Sequence, residues 1–172
     1  ELRVPIIGTD VEAIERADER MGVIFDNGGY LVWERGKTNL WYKINDMQTI
    51  TSSESDSVLA CISMILKKEG KQISVSELKK EKASIIETID KHINGSSIDL
   101  SESKINMIKY YICNERPVIA MMSAKKAVLI VGYDEESITY YDSVTGKNVK
   151  MLISKAEETF TKFGNVYISY LM

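Results

Sequence analysis

The chain has little of the chemistry that metal sites and disulfide-rich folds require. It contains one histidine (His92) and two cysteines (Cys61 and Cys113). A zinc site needs three or four nitrogen, sulfur or oxygen ligands, and two cysteines make no disulfide framework. Both cysteines fall in apolar helical patterns, where a free thiol behaves as a small hydrophobic group, so we expect both to be buried. The sequence predicts no metal site and no cofactor.

Charge and hydropathy argue against two further classes of protein. The net charge of −3 offers no concentrated basic surface, so we predict no nucleic-acid binding. No apolar run approaches the roughly 20 residues that cross a bilayer, so we predict no membrane span. With 172 residues, 44% of them hydrophobic and 27% charged, the chain suits a folded domain with a substantial core. It begins with Glu1 rather than Met, and we expect it to be part of a longer protein.

The first fifty residues predict an extension that precedes the main domain. Residues 11–20 show helical apolar spacing, and two β-rich runs at 22–25 and 30–33 flank an Asn-Gly turn that is typical of a hairpin. A Ser-rich stretch follows at 51–55. We therefore predict a boundary there, with residues 1–50 as the extension and 51–172 as the domain.

Residues 51–172 predict an α+β fold, with helices first and an antiparallel sheet second. The first helix begins near Asp56 and is apolar on more than one face, which is typical of a central, buried helix. Further helices are predicted at 74–82, at 85–93 and from 101, followed by strands at 117–122, 127–133, 137–141 and 149–153, a helix at 155–163 and a strand at 165–170.

Three short patterns in this domain resemble the bacteriocin-processing, double-glycine cysteine peptidase family, which is papain-like. The family's helix begins Asp-Cys-Gly-Pro-Ala-Cys, its strand runs from His-Ala-Val to Gly-Tyr-Asp, and an Asp-Pro-x-x-Gly turn follows. This chain has Asp56-Ser57-Val58-Leu59-Ala60-Cys61, then Lys126-Ala127-Val128 running to Gly132-Tyr133-Asp134, and then Asp142-Ser143-Val144-Thr145-Gly146. The resemblance covers residues 50–172. It implies a papain-like fold with N-terminal helices packed on a C-terminal antiparallel sheet.

The resemblance also implies which positions would carry catalysis, and two of them are changed. Ser57 stands at the position of the nucleophile, Lys126 at that of the general base and Asp142 at that of the acid that orients the base. Thr51 stands where the resemblance would place the family's oxyanion glutamine. Gln48 lies nearby but is out of register with that position. A serine is far less acidic than a thiol, and a lysine near pH 7 is a cation that cannot accept a proton. Beside Asp142, Lys126 would be held protonated, so we interpret the two as a structural ion pair.

Three functions follow from this comparison. The first is a catalytically inactive peptidase-like domain that binds a peptide or protein, or acts as a scaffold, within a larger bacterial protein. The second is an active hydrolase that uses Ser57 with Lys126 as a dyad. The third is a purely structural domain, which Val58 and Leu59 favour because they would fill the cleft where the family has Gly-Pro. Cys61 is predicted to pack in the core rather than replace the nucleophile. The family's usual setting implies an extracytoplasmic or cell-surface location.

Overall fold

The computed structural model describes residues 23–25, 31–34 and 40–171, and these residues form five helices and nine strands. The helices are α1 (Ser57–Lys68), α2 (Val75–Glu81), α3 (Ile85–His92), α4 (Ile105–Cys113) and α5 (Ile153–Thr161). The strands are β1 (Val23–Phe25), β2 (Leu31–Glu34), β3 (Tyr42–Lys43), β4 (Ser96–Asp99), β5 (Val118–Met121), β6 (Ala127–Tyr133), β7 (Ser137–Asp142), β8 (Lys147–Leu152) and β9 (Tyr167–Leu171).

Seven of the strands form one antiparallel sheet, which confirms the predicted α+β class. The order across the sheet is β4-β9-β5-β6-β7-β8, and β3 pairs with the end of β6. Strand β6 lies in the middle, and all seven of its residues are buried. A strand that is buried on both faces is a continuous apolar run, which is why its bounds could be predicted from the sequence.

The core lies on both faces of this sheet, because alternate residues of each strand point to opposite sides. On β6, Leu129 packs with the buried residues of α1, α2 and α3, whereas Val128 and Ile130 pack with those of α4 and α5. Helix α1 is buried from Ala60 through Leu66, as predicted for a central helix. The helices therefore cover the sheet from both sides, with the three N-terminal ones on a single face.

Two surface helices begin with reciprocal capping boxes. The Ser74 hydroxyl accepts the Glu77 N–H, and the Glu77 carboxylate accepts the Ser74 N–H; Ser84 and Glu87 repeat the arrangement in α3. Each box satisfies N–H groups that the first helical turn leaves without partners. His92, the last residue of α3, contacts a carboxylate oxygen of Glu81 at 2.8 Å.

Two short strands were not predicted from the sequence. Strand β4 lies within the helical half of the chain and pairs with β9. Strand β3 lies ahead of the predicted boundary at residue 51, yet Tyr42 and Lys43 pair with β6 and the next residue, Ile44, is buried in the core. The boundary itself stays a prediction. The predicted hairpin is present, since β1 pairs antiparallel with β2, whereas the predicted helix at 11–20 lies outside the described residues.

The expectation that both cysteines are buried is correct for Cys61 but wrong for Cys113. Cys61 is enclosed in the middle of α1. Cys113 is the last residue of α4 and is half-buried against the edge of the core. Among the described residues, no three His, Cys, Asp or Glu side chains come together to hold a metal ion. No helix in this part of the chain has both the length and the apolar character to span a bilayer.

Gly132 allows β3 to approach β6, which leads to a first prediction. Val131 is an extra residue of β6 that has no partner on β7. Gly132 follows it, and a Cβ atom added to Gly132 would lie 3.1 Å from the Tyr42 carbonyl oxygen. We expect Gly132→Val to push β3 away and to lower the free energy of unfolding by about 1 to 3 kcal/mol. The Ile44 N–H, which donates to the Val131 carbonyl at 2.9 Å, should then exchange with solvent at least about tenfold faster.

A matched control for Gly132→Val is Lys43→Ala, which changes an exposed side chain on the same short strand. It should leave the exchange rate of the Ile44 N–H within about twofold of the wild-type rate. Equal exchange rates in Gly132→Val and the wild type would show that β3 does not depend on the missing side chain.

Candidate functional site

Ser57, at the position of the nucleophile, is fully buried at the first turn of α1. Its relative exposure is 0%, and its Oγ accepts the Ala127 N–H at 2.9 Å. The hydroxyl donates to the Glu54 carbonyl at 2.7 Å, with the Lys125 carbonyl at 3.3 Å as a longer second acceptor. A serine hydroxyl has one proton to donate, and here a backbone carbonyl takes it. The group is therefore arranged as a bridge between the start of α1 and the start of β6.

Lys126 and Asp142 form the ion pair that the sequence predicts. The Lys126 Nζ lies 2.8 Å from Asp142 Oδ2, and the two side chains are 24% and 7% exposed. The other carboxylate oxygen of Asp142 accepts the Val144 N–H at 2.9 Å. Burial alone would raise the pKa of Asp142, but the hydrogen bonds from Lys126 and the Val144 N–H outweigh it, so the pKa is lowered. Asp142 is thus an anion that holds the ammonium of Lys126.

The sheet brings these three positions to one end of the domain. Lys126 comes directly before β6 and Asp142 ends β7, and these neighbouring strands run antiparallel. The hydrogen bonds of Ser57 reach the residues on either side of Lys126. The Lys126 amine, however, is directed to Asp142, and within residues 40–171 no hydrogen bond joins it to Ser57 Oγ. The three residues are neighbours without forming a nucleophile–base pair.

The segment ahead of α1 is held against the turn between β7 and β8. The Ser52 N–H donates to the Ser143 carbonyl at 2.9 Å, and the two serine hydroxyls lie 2.8 Å apart. The Tyr141 hydroxyl donates to the Ile50 carbonyl at 3.0 Å. Thr51 is exposed in this segment, and Gln48 is exposed three residues earlier. Thr51, which stands at the position of the family's oxyanion glutamine, has no side-chain amide to donate to an oxyanion.

The first turn of α1 offers no replacement nucleophile. Val58 and Leu59 are half-buried against the core beneath α1. Cys61 is fully enclosed, and burial, followed by the nearby charge of Asp142, raises the pKa of its thiol far above the ordinary value. A thiol acts as a nucleophile in its ionised form, so Cys61 is a core residue, as predicted.

Three grooves of the described surface lie away from these residues. One of about 850 Å³ and one of about 420 Å³ share a wall made by Leu40 and Trp41, and a third of about 140 Å³ runs beneath Ile44. None of these three is lined by Ser57, Lys126 or Asp142. Leu40 and Trp41 were not predicted as a site from the sequence. The available signal was a short apolar island within the polar stretch that precedes the Ser-rich segment.

Comparison with known proteins identifies the fold. No protein-family model matches the sequence, and no curated protein matches it. Among solved structures, the chain is similar to a C39-like peptidase from Bacillus anthracis, with a TM-score of 0.68 and 14% identity over 77% of this chain and 98% of that one. It is also similar to a double-glycine motif protease from an AMS/PCAT transporter, solved in complex with the leader peptide, with a TM-score of 0.59 and 12% identity over 76% and 95% of the two chains.

These neighbours confirm the predicted resemblance at the level of the fold. The described domain has the papain-like fold of the C39 peptidases, with helices on an antiparallel sheet. Identities this low carry no activity from one chain to another, because a fold can host many functions and the function depends on the site. The chemistry of this chain has to be argued from its own residues.

Proposed function

We propose that this chain is a catalytically inactive peptidase-like domain that serves as a peptide- or protein-binding or scaffolding module of a larger bacterial protein. The observation that carries the proposal is the state of Ser57. Its hydroxyl is buried, accepts a backbone N–H and donates to a backbone carbonyl. A nucleophile needs a free approach for its substrate and a base to take its proton. Ser57 has neither.

The charge of Lys126 supports the same conclusion. A lysine amine accepts a proton only when it is neutral, which requires burial without a nearby anion. Here the anion of Asp142 lies at 2.8 Å from Nζ, and the lysine side chain keeps some contact with solvent. The amine is therefore held in an ion pair with Asp142 rather than placed beside Ser57 Oγ. The alternative hydrolase, with Ser57 as nucleophile and Lys126 as base, would need this ion pair to break and the Ser57 side chain to turn away from Ala127.

A cleavage assay tests the proposal. The wild-type chain and Ser57→Ala should be incubated with a broad peptide library that includes peptides containing a double glycine, and products should be followed by mass spectrometry. We expect the same background for both proteins. Cleavage by the wild type that disappears in Ser57→Ala would contradict the proposal and favour the dyad.

A second variant separates the missing chemistry from the closed site. Ser57→Cys combined with Lys126→His places the family's nucleophile and base in this fold. We expect no cleavage from this double variant either, because position 57 is enclosed and Val58 and Leu59 pack beside it. Activity in the double variant alone would mean that a cleft is open and that only the two side chains are missing.

The peptide partner and the extracytoplasmic or cell-surface location remain parts of this proposal. The double-glycine motif protease of similar fold was solved in complex with the leader peptide, which supports the peptide-binding part of the proposal. For this chain, the chemistry of a partner has to be inferred from the residues on its own surface.

A further inference from the structure

The surface at Leu40 and Trp41 is unusual in exposing two large apolar side chains side by side. Leu40 is 72% exposed and Trp41 is 71% exposed. Single exposed hydrophobic residues are common, but adjacent large ones beside a groove are typical of interaction sites. Tryptophan is also the residue type most enriched among those that dominate binding energy.

The smaller of the two grooves beside this pair has a defined charge. Its remaining wall is formed by Asp134, Glu135, Glu136, Ser137 and Lys150. The Lys150 Nζ lies 2.7 Å from an Asp134 oxygen, so those two charges compensate each other. Glu135 and Glu136 are exposed and form no ion pair within the described part of the chain. The groove lining therefore carries three carboxylates and one ammonium next to an indole ring, although Glu136 also lies close enough to Lys150 to interact with its charge.

The larger groove, which shares Leu40 and Trp41 with the smaller one, differs in charge. There Lys68 is paired with both Asp46 and Glu115, at 3.2 and 3.1 Å. Lys43 also lines this groove, so its two carboxylates face two ammonium groups and the lining has no net charge. A ligand that carries positive charge would be drawn to the smaller groove, and its apolar groups to the wall that the two grooves share.

Resting on the proposed binding function, we propose that the Leu40–Trp41 wall and the Glu135–Glu136 groove dock a partner protein segment that presents an apolar side chain next to a lysine or arginine. The apolar side chain would cover Leu40 and Trp41. The cation would lie between the carboxylates and the face of the indole, where both interactions favour positive charge. Binding at this surface would not involve the enclosed Ser57 position at all.

Short fluorescent peptides test this inference directly. The probes are a Leu/Lys peptide, a Leu/Glu peptide and a Ser/Lys peptide of equal length, titrated with the full chain by fluorescence polarisation. We expect the Leu/Lys peptide to bind about tenfold more tightly than either of the others, and more weakly as salt is added. Equal binding of all three, or no binding of the Leu/Lys peptide, would overturn the inference.

Matched variants locate the binding surface. Trp41→Ala should weaken Leu/Lys binding about tenfold, whereas Phe163→Ala, which removes another exposed aromatic ring, should leave it unchanged. Glu135→Gln with Glu136→Gln should weaken it about threefold or more, whereas Glu102→Gln with Glu157→Gln changes the net charge equally outside the groove and should not. Binding that is insensitive to Trp41 and to both groove carboxylates would overturn the inference.

The outcomes separate this inference from the proposed function. Peptide cleavage that depends on Ser57 would contradict the proposal that the domain is inactive. The docking surface would then still be tested by the binding of the Trp41 and Glu135/Glu136 variants. Absence of binding by the Leu/Lys peptide would contradict the docking surface, whereas the proposal of an inactive scaffold would be unaffected. Self-association of the wild type that is lost in Trp41→Ala would assign the surface to a second copy of the chain and overturn the partner segment.

Discussion

Asp142→Asn is expected to lower the free energy of unfolding by about 2 to 4 kcal/mol at neutral pH. The substitution keeps the size of the side chain but removes the charge that holds Lys126, whose side chain is three-quarters enclosed and would then lie beside a neutral amide. Breaking a largely buried pair costs much more than breaking an exposed one, because the remaining charge keeps its desolvation cost. Urea unfolding of the two proteins measures the difference.

The pH dependence gives this prediction a sign. The pKa of Asp142 is lowered in the folded protein, so the stabilisation from its carboxylate is complete above the unfolded value of about 3.9. It is lost as the pH falls below that value and through the folded pKa. The gap in stability between wild type and Asp142→Asn should therefore be constant from about pH 5 to 8 and should narrow below about pH 4.

The matched control is Asp134→Asn at the other end of β6. Asp134 also pairs with a lysine, but both partners there are far more exposed, so we expect a loss of at most about 1 kcal/mol. Comparable losses of unfolding free energy in the two variants would show that the Lys126–Asp142 pair stabilises the fold no more than an exposed pair does. If the difference in stability between wild type and Asp142→Asn does not narrow below about pH 4, the charge of Asp142 is not the cause of that difference.

Ser57→Ala is expected to lower the free energy of unfolding by about 1 to 3 kcal/mol. The substitution leaves the Ala127 N–H without the acceptor that it has at 2.9 Å, in a place with no access for water. It also removes the bond from the hydroxyl to the Glu54 carbonyl. Thermal or urea unfolding measures the loss.

This measurement distinguishes a structural serine from a catalytic one. Active-site residues are often strained or poorly packed, so their removal tends to leave a protein as stable or more stable. Ser55→Ala, two residues earlier and exposed, is the control and should change stability by less than about 0.5 kcal/mol. If Ser57→Ala proves as stable as wild type, Ser57 does not tie α1 to β6.

Much of the fold could be predicted because it rests on long apolar patterns. Strand β6 has the bounds that the sequence predicts, since every one of its residues is apolar or small and the run ends at Asp134. Helix α1 was recognised by its apolar residues on several faces. Strand β3 was missed because it has two residues, too few for an alternation to be visible, and β4 because three of its four residues are polar. Periodicity also does not reveal which face of the sheet a helix covers.

The site could be predicted only in part, for a related reason. The Lys126–Asp142 pair follows from charge and from the resemblance, and the structure contains it. The hydrogen bonds of Ser57 are made with backbone atoms of Glu54 and Ala127. The pattern of side chains in a sequence does not predict which backbone atoms a hydroxyl will bond. The Leu40–Trp41 surface was missed because an apolar island in a sequence is equally typical of a core. Only the packing shows that these two side chains face solvent.

The attachment of β3 has a mechanical consequence. This strand joins the sheet through Tyr42, Lys43 and the Ile44 N–H, at the end of β6 where the extra residue Val131 interrupts its pairing with β7. A pulling force applied to the chain ahead of residue 40 would load those few bonds first. Because these bonds are so few, β3 should detach at a lower force than β5 through β8, which pair over more residues.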